Sequence, residues 1–480
     1  MNYSIILKII GIMLILFSLM LFIPISVSLF YSDGNLETFL NSLAITLFFG
    51  LILYLPNIKS RSDIKTKEGF LIVVLFWLIL SIFGSIPFMF DKQLSLSFID
   101  AFFESISGWT TTGATVINNI DILSPSLLIY RQELQWLGGM GIVILALAIL
   151  PMLGVGGMHL YKAESTGPIK DNKISPRIAE TAKSLWSIYL GLTIICAIAY
   201  YLAGMSIFDA VAHSFSTIAI GGFSTHNLSI GYFNSNLIEL ICVFFMIISA
   251  LNFILHFMAI KTKDIKTYLH DTEFKSYILI ILFVFLSIVL YTYIEKNEDL
   301  TAMQILFQSV SFITTSGFTN AAYYSWPSFV TSLLIVISFI GACAGSTGGG
   351  LKVIRVIILF KLLKRELLKI IHPTAEIPIR INQSTINEET SATLYNFFIF
   401  YILSYLALSF LLLMSGLDMI TSFSAVASCI NNLGPGLGDV ALNYGDINIF
   451  AKYVLSFAMI LGRLEIFTLL IVMTTYFWKY

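Results

Sequence analysis

Residues 9–30 form a stretch of 22 residues without a single charge, and nine further long apolar segments follow it. They lie at about 39–57, 69–90, 130–153, 184–204, 237–260, 277–294, 328–343 continuing into 351–360, 393–415 and 451–478. A helix needs about 20 such residues to cross a hydrocarbon core of roughly 30 Å. The pattern predicts ten membrane-crossing helices, one of them interrupted. The first run exceeds the roughly 7–15 residues of a signal-peptide core and is expected to remain in the membrane. With 57% hydrophobic and only 11% charged residues, the chain has too little charge to solvate the surface of a water-soluble protein. A soluble enzyme, a secreted domain and a nucleic-acid binder therefore fit poorly. Cys196, Cys242, Cys343 and Cys429 all lie in apolar runs without a CxxC pair, which argues against a disulfide framework or a zinc site.

The charges that exist are sorted between the segments. Four connections are basic: 58–68 (Lys59, Arg61, Lys65, Lys67), 160–183 (Lys162, Lys170, Lys173, Arg177, Lys183), 261–275 (Lys261, Lys263, Lys266, Lys275) and 361–380 (Lys361, Lys364, Arg365, Lys369, Arg380). The connections between them are acidic or neutral, as at Asp33 and Glu37 or at Glu295, Glu298 and Asp299. The positive-inside rule then predicts that the basic loops and both termini are cytoplasmic.

The outward connections repeat one phrase four times, beginning at Asp100, Asp209, Gln304 and Thr421. Thirteen residues after each start stands a glycine: Gly113, Gly222, Gly317 and Gly434. A serine precedes each glycine by six positions: Ser107, Ser216, Ser311 and Ser428. The glycines are 109, 95 and 117 residues apart, so the repeating unit is a span, this phrase and another span. The stretch before each glycine predicts a helix of about 11–13 residues, under 20 Å long, which can dip into the membrane but not cross it. Irregular backbone at that depth is tolerated where it lines a water-filled cavity or is buried in protein. Four such elbows need a common centre, and a central aqueous pathway supplies one.

No tip carries an acidic side chain, so backbone carbonyls are the candidate ligands, suited to a weakly hydrated monovalent cation rather than Ca²⁺ or Mg²⁺. Glycine allows the φ that turns carbonyls toward the axis. The negative end of each short helix points at the membrane centre. The candidate ion-binding residues are Thr111, Thr112 and Gly113; Ile220, Gly221 and Gly222; Thr315, Ser316 and Gly317; and Asn432, Leu433 and Gly434.

The strings TTTGAT at 110–115, AIGGFST at 219–225, TTSGFTN at 314–320 and NNLGPGLG at 431–438, with GACAGSTGGG at 341–350 and LGRLEIF at 461–467, resemble the TrkH/KtrB superfamily of potassium transporters. The likeness covers about 67–480, and the two extra N-terminal spans look like those of the TrkH branch. Ile220 and the Asn432-Leu433 pair make the filter degenerate beside a symmetric potassium channel. The resemblance implies K⁺ as the transported ion at the filter, a homodimer, the bacterial inner membrane, and a TrkA-like cytoplasmic nucleotide-binding regulatory subunit. This chain itself is expected to carry no organic cofactor; besides those partners it contacts membrane lipid, and no nucleic acid.

Five glycines within 341–350 make a continuous helix there unfavourable, at about 1 kcal/mol each relative to alanine. This predicts an intramembrane loop that can obstruct the path, with Gly345, Ser346, Thr347, Gly348, Gly349 and Gly350 as its gate residues. A phosphate-loop reading of the same string fails, because Lys352 does not directly follow the glycine and no soluble strand precedes it. Arg463 lies well inside the last span, where a charge requires a partner. Carbonyls and hydroxyls at 344–350 are the expected partners, with Glu465 as the local competitor. Glu104, His213 and Gln308 share the position nine before the glycine, where the fourth repeat has Ala425, and are expected to hydrogen-bond the back of the filter; proton relay by His213 is the sharper alternative. Asn252 and His256 are expected to bond between helices rather than to a metal.

The expected architecture is an all-α integral membrane protein. Two N-terminal spans over 1–66 precede four membrane–pore helix–membrane repeats at 67–160, 183–262, 275–372 and 391–480, arranged around a central ion pathway. The expected function is K⁺ uptake, not catalysis. A sodium-permeable or weakly selective channel and a secondary solute transporter are the alternatives.

Overall fold

The computed structural model describes residues 1–60, 65–144, 175–296, 300–382 and 384–479. Arg61, Lys162, Lys170, Lys173, Glu298, Asp299, the Arg177 side chain and the end of the 130–153 segment lie outside the described residues. The protein is an all-helical, multi-pass membrane protein. Among the described residues the only sheet is a two-stranded antiparallel hairpin, Ile379–Ile381 with Ser384–Ile386.

Among the described residues, six helices are long and apolar enough to cross a membrane unaided, and two bent pairs bring the number to eight. Helices also occupy the two remaining apolar segments, Pro125–Ile144 and the interrupted Ser328–Ser338 with Val353–Ile371. The expectation of a single interruption is corrected here. The helix Asn236–Ser249 meets Phe253–Thr262 at 91°, and Ile449–Arg463 meets Phe467–Met473 at 116°. Neither break contains glycine or proline. At the first, the Asn252 side chain caps the new helix by accepting the Ile254 N–H at 2.9 Å, and the Ala250 carbonyl accepts from Cys343 N–H at 3.0 Å. At the second, Glu465 and Ile466 both adopt left-handed φ, 53° and 58°. A second correction concerns 361–380, whose first part is not a loop, because the helix from Val353 continues to Ile371.

Four short helices, Phe98–Trp109, Ile207–Ala219, Ala302–Thr314 and Met419–Ile430, contain 12 or 13 residues each. At about 1.5 Å per residue they reach roughly 18–20 Å. Each starts at a side-chain cap that satisfies otherwise orphaned backbone N–H groups: Ser97, Ser206, Thr301 and Asp418 accept from Asp100, Asp209, Gln304 and Ile420. These are called half-helices one to four below.

The segments after the half-helices join the repeats into a ring. Ile120 N–H donates to Asn227 Oδ1 at 2.7 Å, Gly231 N–H to Thr319 O at 3.2 Å, Tyr323 Oη to Gly436 O at 2.5 Å, and Tyr444 N–H to Thr115 O at 2.7 Å. Lys452 closes the fourth repeat onto the first by donating to Asp100 at 2.6 Å. The N-terminal helices pack together through Gly11 and Gly50, where added Cβ atoms would crowd the opposing backbone. Asn35 fastens that pair to the first repeat by donating to Asp91 at 2.7 Å and Ser124 at 2.6 Å.

Candidate functional site

Every half-helix ends in the same way. The residue two before the glycine is left-handed: Thr111 at φ 54°, Ile220 at 55°, Thr315 at 61° and Asn432 at 54°. The next residue's N–H turns back to the carbonyl of the repeated serine: Thr112 to Ser107 at 2.9 Å, Gly221 to Ser216 at 2.9 Å, Ser316 to Ser311 at 2.9 Å and Leu433 to Ser428 at 2.8 Å. The left-handed N–H itself bonds the carbonyl three residues back, completing a Schellman cap. Left-handed geometry costs an L-residue about 1–2 kcal/mol, most acutely at β-branched Thr and Ile. Four such residues at equivalent positions mark strain held by the surrounding fold.

The glycines follow with φ of 81°, 79°, 80° and 97° at Gly113, Gly222, Gly317 and Gly434. A Cβ on Gly113 would fall on the carbonyl oxygen of Gly221, one on Gly222 on that of Ser316, and one on Gly317 on that of Leu433; one on Gly434 would come within 2.6 Å of the carbonyl oxygen of Thr112. Each elbow thus abuts the carbonyl of the next repeat, and the fourth returns to the first. The structure brings the four tips into a closed ring around one axis. On one side of them a cavity of about 120 Å³ is lined by all four glycines together with Arg131 and His226. Two carbonyls of the ring already accept hydrogen bonds, Gly221 from Gln135 Nε2 at 2.5 Å and Gly434 from Tyr444 Oη at 2.8 Å.

The residues nine before the glycines brace the returning strands. Glu104 accepts from Val116 N–H at 3.0 Å and from the Thr115 hydroxyl; His213 Nε2 bonds the Ser224 hydroxyl at 2.9 Å; Gln308 donates to Asn320 at 3.3 Å. Behind Glu104 stands a residue the sequence reading missed. Arg131 forms a salt bridge with Glu104 at 2.8 Å, both side chains wholly buried, donates to Ser224 O at 3.1 Å, and lies 4.1 Å from the Phe223 ring centroid. It couples the elbows of repeats one and two. The signal was available: Arg131, Gln132, Glu133 and Gln135 fall within five residues of one span, and polar groups so placed must face protein.

The glycine-rich segment lies against the opposite side of the ring. Thr347 donates its hydroxyl to Ile218 O at 3.2 Å, and Gly349 N–H donates to Thr315 Oγ1 at 2.7 Å. A Cβ on Gly349 would overlap Asn431 O, and one on Gly348 would come within 2.8 Å of Thr314 O. The segment thus touches the ends of half-helices two, three and four. Gly345 O accepts from Phe253 N–H at 3.1 Å, and Gly348 O from Lys352 Nζ at 2.6 Å. Ser346 bonds back to Cys343 O at 2.6 Å, and Gly350, at φ 76°, closes the segment against Gly341. Glu273 Oε1 holds both flanks, accepting from Ala344 N–H at 2.8 Å and Ile354 N–H at 3.1 Å.

Arg463 reaches the segment as expected, donating to Thr347 O at 2.9 Å, and also to Gly138 O at 3.1 Å. Its guanidinium carbon is 5.5 Å from the Trp77 ring centroid. Glu465 instead pairs with Arg355 at 2.6 Å. His256 bonds Tyr268 at 2.8 Å and Ile248 O at 2.9 Å, across helices, whereas Asn252 serves as a local cap.

Four half-helix elbows closing on one axis, with a buried loop against one end, define a multi-pass helical membrane protein with a carbonyl-rich centre. The chain belongs to the TrkH family of cation transport proteins, which matches residues 35–479. It is 50% identical, over the full length of both chains, to the Trk system potassium uptake protein TrkH of Vibrio parahaemolyticus. The protein of the same name from Escherichia coli is 47% identical, again with full coverage of both. The crystal structure of the potassium transporter TrkH from Vibrio parahaemolyticus superimposes with a TM-score of 0.92 at 48% identity, covering all of each chain. These relatives are named as transport proteins, and the chain is not an enzyme.

Proposed function

We propose that the chain carries K⁺ into a bacterial cell across the inner membrane, through a filter of backbone carbonyls at residues 111–113, 220–222, 315–317 and 432–434. The observation that carries this reading is the closed ring in which each filter glycine abuts a carbonyl of the next repeat. Carbonyl oxygens gathered on one axis can replace part of a cation's hydration shell, while several weak sites let the ion leave. Relatives covering the whole chain are named potassium uptake proteins.

The loop 345–350, tied by Arg463, acts as the gate in this reading. A homodimer with a TrkA-like cytoplasmic nucleotide-binding subunit regulates it, docked on the basic connections, with both termini cytoplasmic. The charge asymmetry of the connections supports that orientation.

The deciding experiment reconstitutes the purified chain in liposomes and measures reversal potentials under opposed K⁺ and Na⁺ gradients. A potential near the K⁺ equilibrium value is expected. A second reading, weak selectivity among monovalent cations, draws on the carbonyls of Gly221 and Gly434, which Gln135 and Tyr444 already occupy. A potential midway between the two ions would favour it, and absence of any cation flux would sink both.

A further inference from the structure

Three distant stretches of chain, residues 1–3, 65–68 and 477–479, meet at one end of the molecule around a cavity of about 510 Å³. Its lining includes Lys65, Lys67 and Lys479, with Glu68 as the one acid. That acid is 2% exposed and spent on the backbone: Oε1 accepts Asn2 N–H at 2.6 Å and Oε2 accepts Lys65 N–H at 2.9 Å. Lys65 and Lys479 are exposed. Lys67 donates to Phe477 O at 3.3 Å, which uses one of the three ammonium protons. The cavity therefore sets three lysines against one buried acid whose oxygens already accept backbone N–H groups.

The rim is aromatic. Trp478 is 54% exposed, yet its indole N–H is fixed on Val472 O at 2.9 Å, and Tyr3 is 60% exposed. Exposed Trp and Tyr at the ends of apolar helices mark the boundary between hydrocarbon and water. The spanning helices beginning at Tyr3 and Thr66 both start here. Leu7, one turn along the first helix from Tyr3, is 39% exposed and continues the same face into the apolar zone.

We propose that this cavity binds the phosphate-bearing headgroup of an anionic glycerophospholipid, with the lysines around the phosphate, the aromatic rim at the glycerol level and an acyl chain along the Leu7 face. Basic pockets between spanning helices suit such headgroups, and the volume lies within the range of ligand sites. A free phosphate would use the lysines but gain nothing from the rim or the apolar face. A zwitterionic lipid brings its own ammonium and loses the attraction.

The test uses the full-length chain, purified and delipidated in detergent, and native mass spectrometry with phosphatidylglycerol, phosphatidylethanolamine or inorganic phosphate. Each lysine near a lipid surface contributes about 5-fold in affinity, so the K65Q/K479Q variant should bind phosphatidylglycerol about 25-fold more weakly. The variant K65R/K479R should keep binding, and K263Q/K266Q, with the same change of charge elsewhere, should bind as the parent does. Equal retention of phosphatidylethanolamine, unchanged binding by K65Q/K479Q, or full displacement of the lipid by equimolar inorganic phosphate would each overturn the assignment.

Discussion

Arg463 is the sharpest place to test whether the loop across the ring is a gate. The proposed perturbation is Arg463→Met, which keeps most of the side-chain volume and removes every donor. The guanidinium holds Thr347 O at 2.9 Å and Gly138 O at 3.1 Å, and only the first of these bonds restrains the loop. A hydrogen bond from a charged donor contributes about 1.5–3 kcal/mol net. If opening the loop surrenders that bond, its loss shifts the closed-to-open ratio by about 10- to 150-fold toward open. The Gly138 bond joins the last span to the first repeat, so its loss lowers stability without biasing the loop. K⁺ flux from proteoliposomes and the open fraction in single-channel records should both rise, and Arg463→Lys should fall between, because an ammonium is a point charge without the planar fork. Thermal melting in detergent separates gating from misfolding. A folded R463M protein with unchanged or reduced open fraction would refute the gate reasoning while leaving the filter untouched.

Other perturbations probe other parts of the site. Gly317→Ala places a Cβ on Leu433 O at φ 80°; we expect at least a tenfold loss of K⁺ over Na⁺ discrimination, read from reversal potentials. Glu104→Ala strands the buried Arg131 and should cost about 3–5 kcal/mol in unfolding experiments, with the double variant E104A/R131M recovering part of it. Burial would lower the pKa of His226, but pairing with Asp209 and Asp121 outweighs this and raises it above 6.5. The pairing therefore stabilises the segment after half-helix two fully below about pH 6.5 and is lost as pH climbs through the raised value; wild-type melting temperature should fall across that window, and H226Q should flatten the slope. Glu273→Leu leaves the Ala344 and Ile354 N–H groups without their acceptor and should raise K⁺ flux, whereas Glu273→Gln, which keeps a carbonyl oxygen, should change it less.

What the sequence displayed and what it hid divide along a physical line. Apolar length and the fourfold glycine are one-dimensional patterns, and they suffice to predict the helices, the half-helices and their common centre. The bends at 250–252 and 464–466 are not legible in that way. Asn252 and Glu465 stand there as single polar residues in otherwise apolar runs, with no glycine or proline to mark a break, and the turn at 250–252 is stabilised by a distant segment, through Cys343 on Ala250. The left-handed residues Thr111, Ile220, Thr315 and Asn432 were hidden for the opposite reason: local preference argues against them, and only the packed ring imposes the conformation. Arg131 is hidden because it sits in a largely apolar run, in which its pairing with Glu104, 27 positions away, has no visible period.

The contrast between the ring and the loop suggests why the fourfold pattern is broken where it is. The four elbows share the same cap, the same left-handed residue and the same glycine, and vary in side chain but not in backbone, as the proposed filter requires if each is to offer its carbonyls at one height. An obstruction needs the reverse. Four equal loops meeting on one axis would collide, whereas a single loop can lie across it. Here the third repeat alone supplies five glycines in ten residues, and the other repeats contribute contacts to it: Ile218 O and Phe253 N–H from the second, Asn431 and Arg463 from the fourth, Gly138 from the first through Arg463. Every repeat thus contacts, directly or through Arg463, the one glycine-rich segment. On the proposed function, the symmetry of the ring and the asymmetry of the loop answer one geometric demand, a single path on a shared axis.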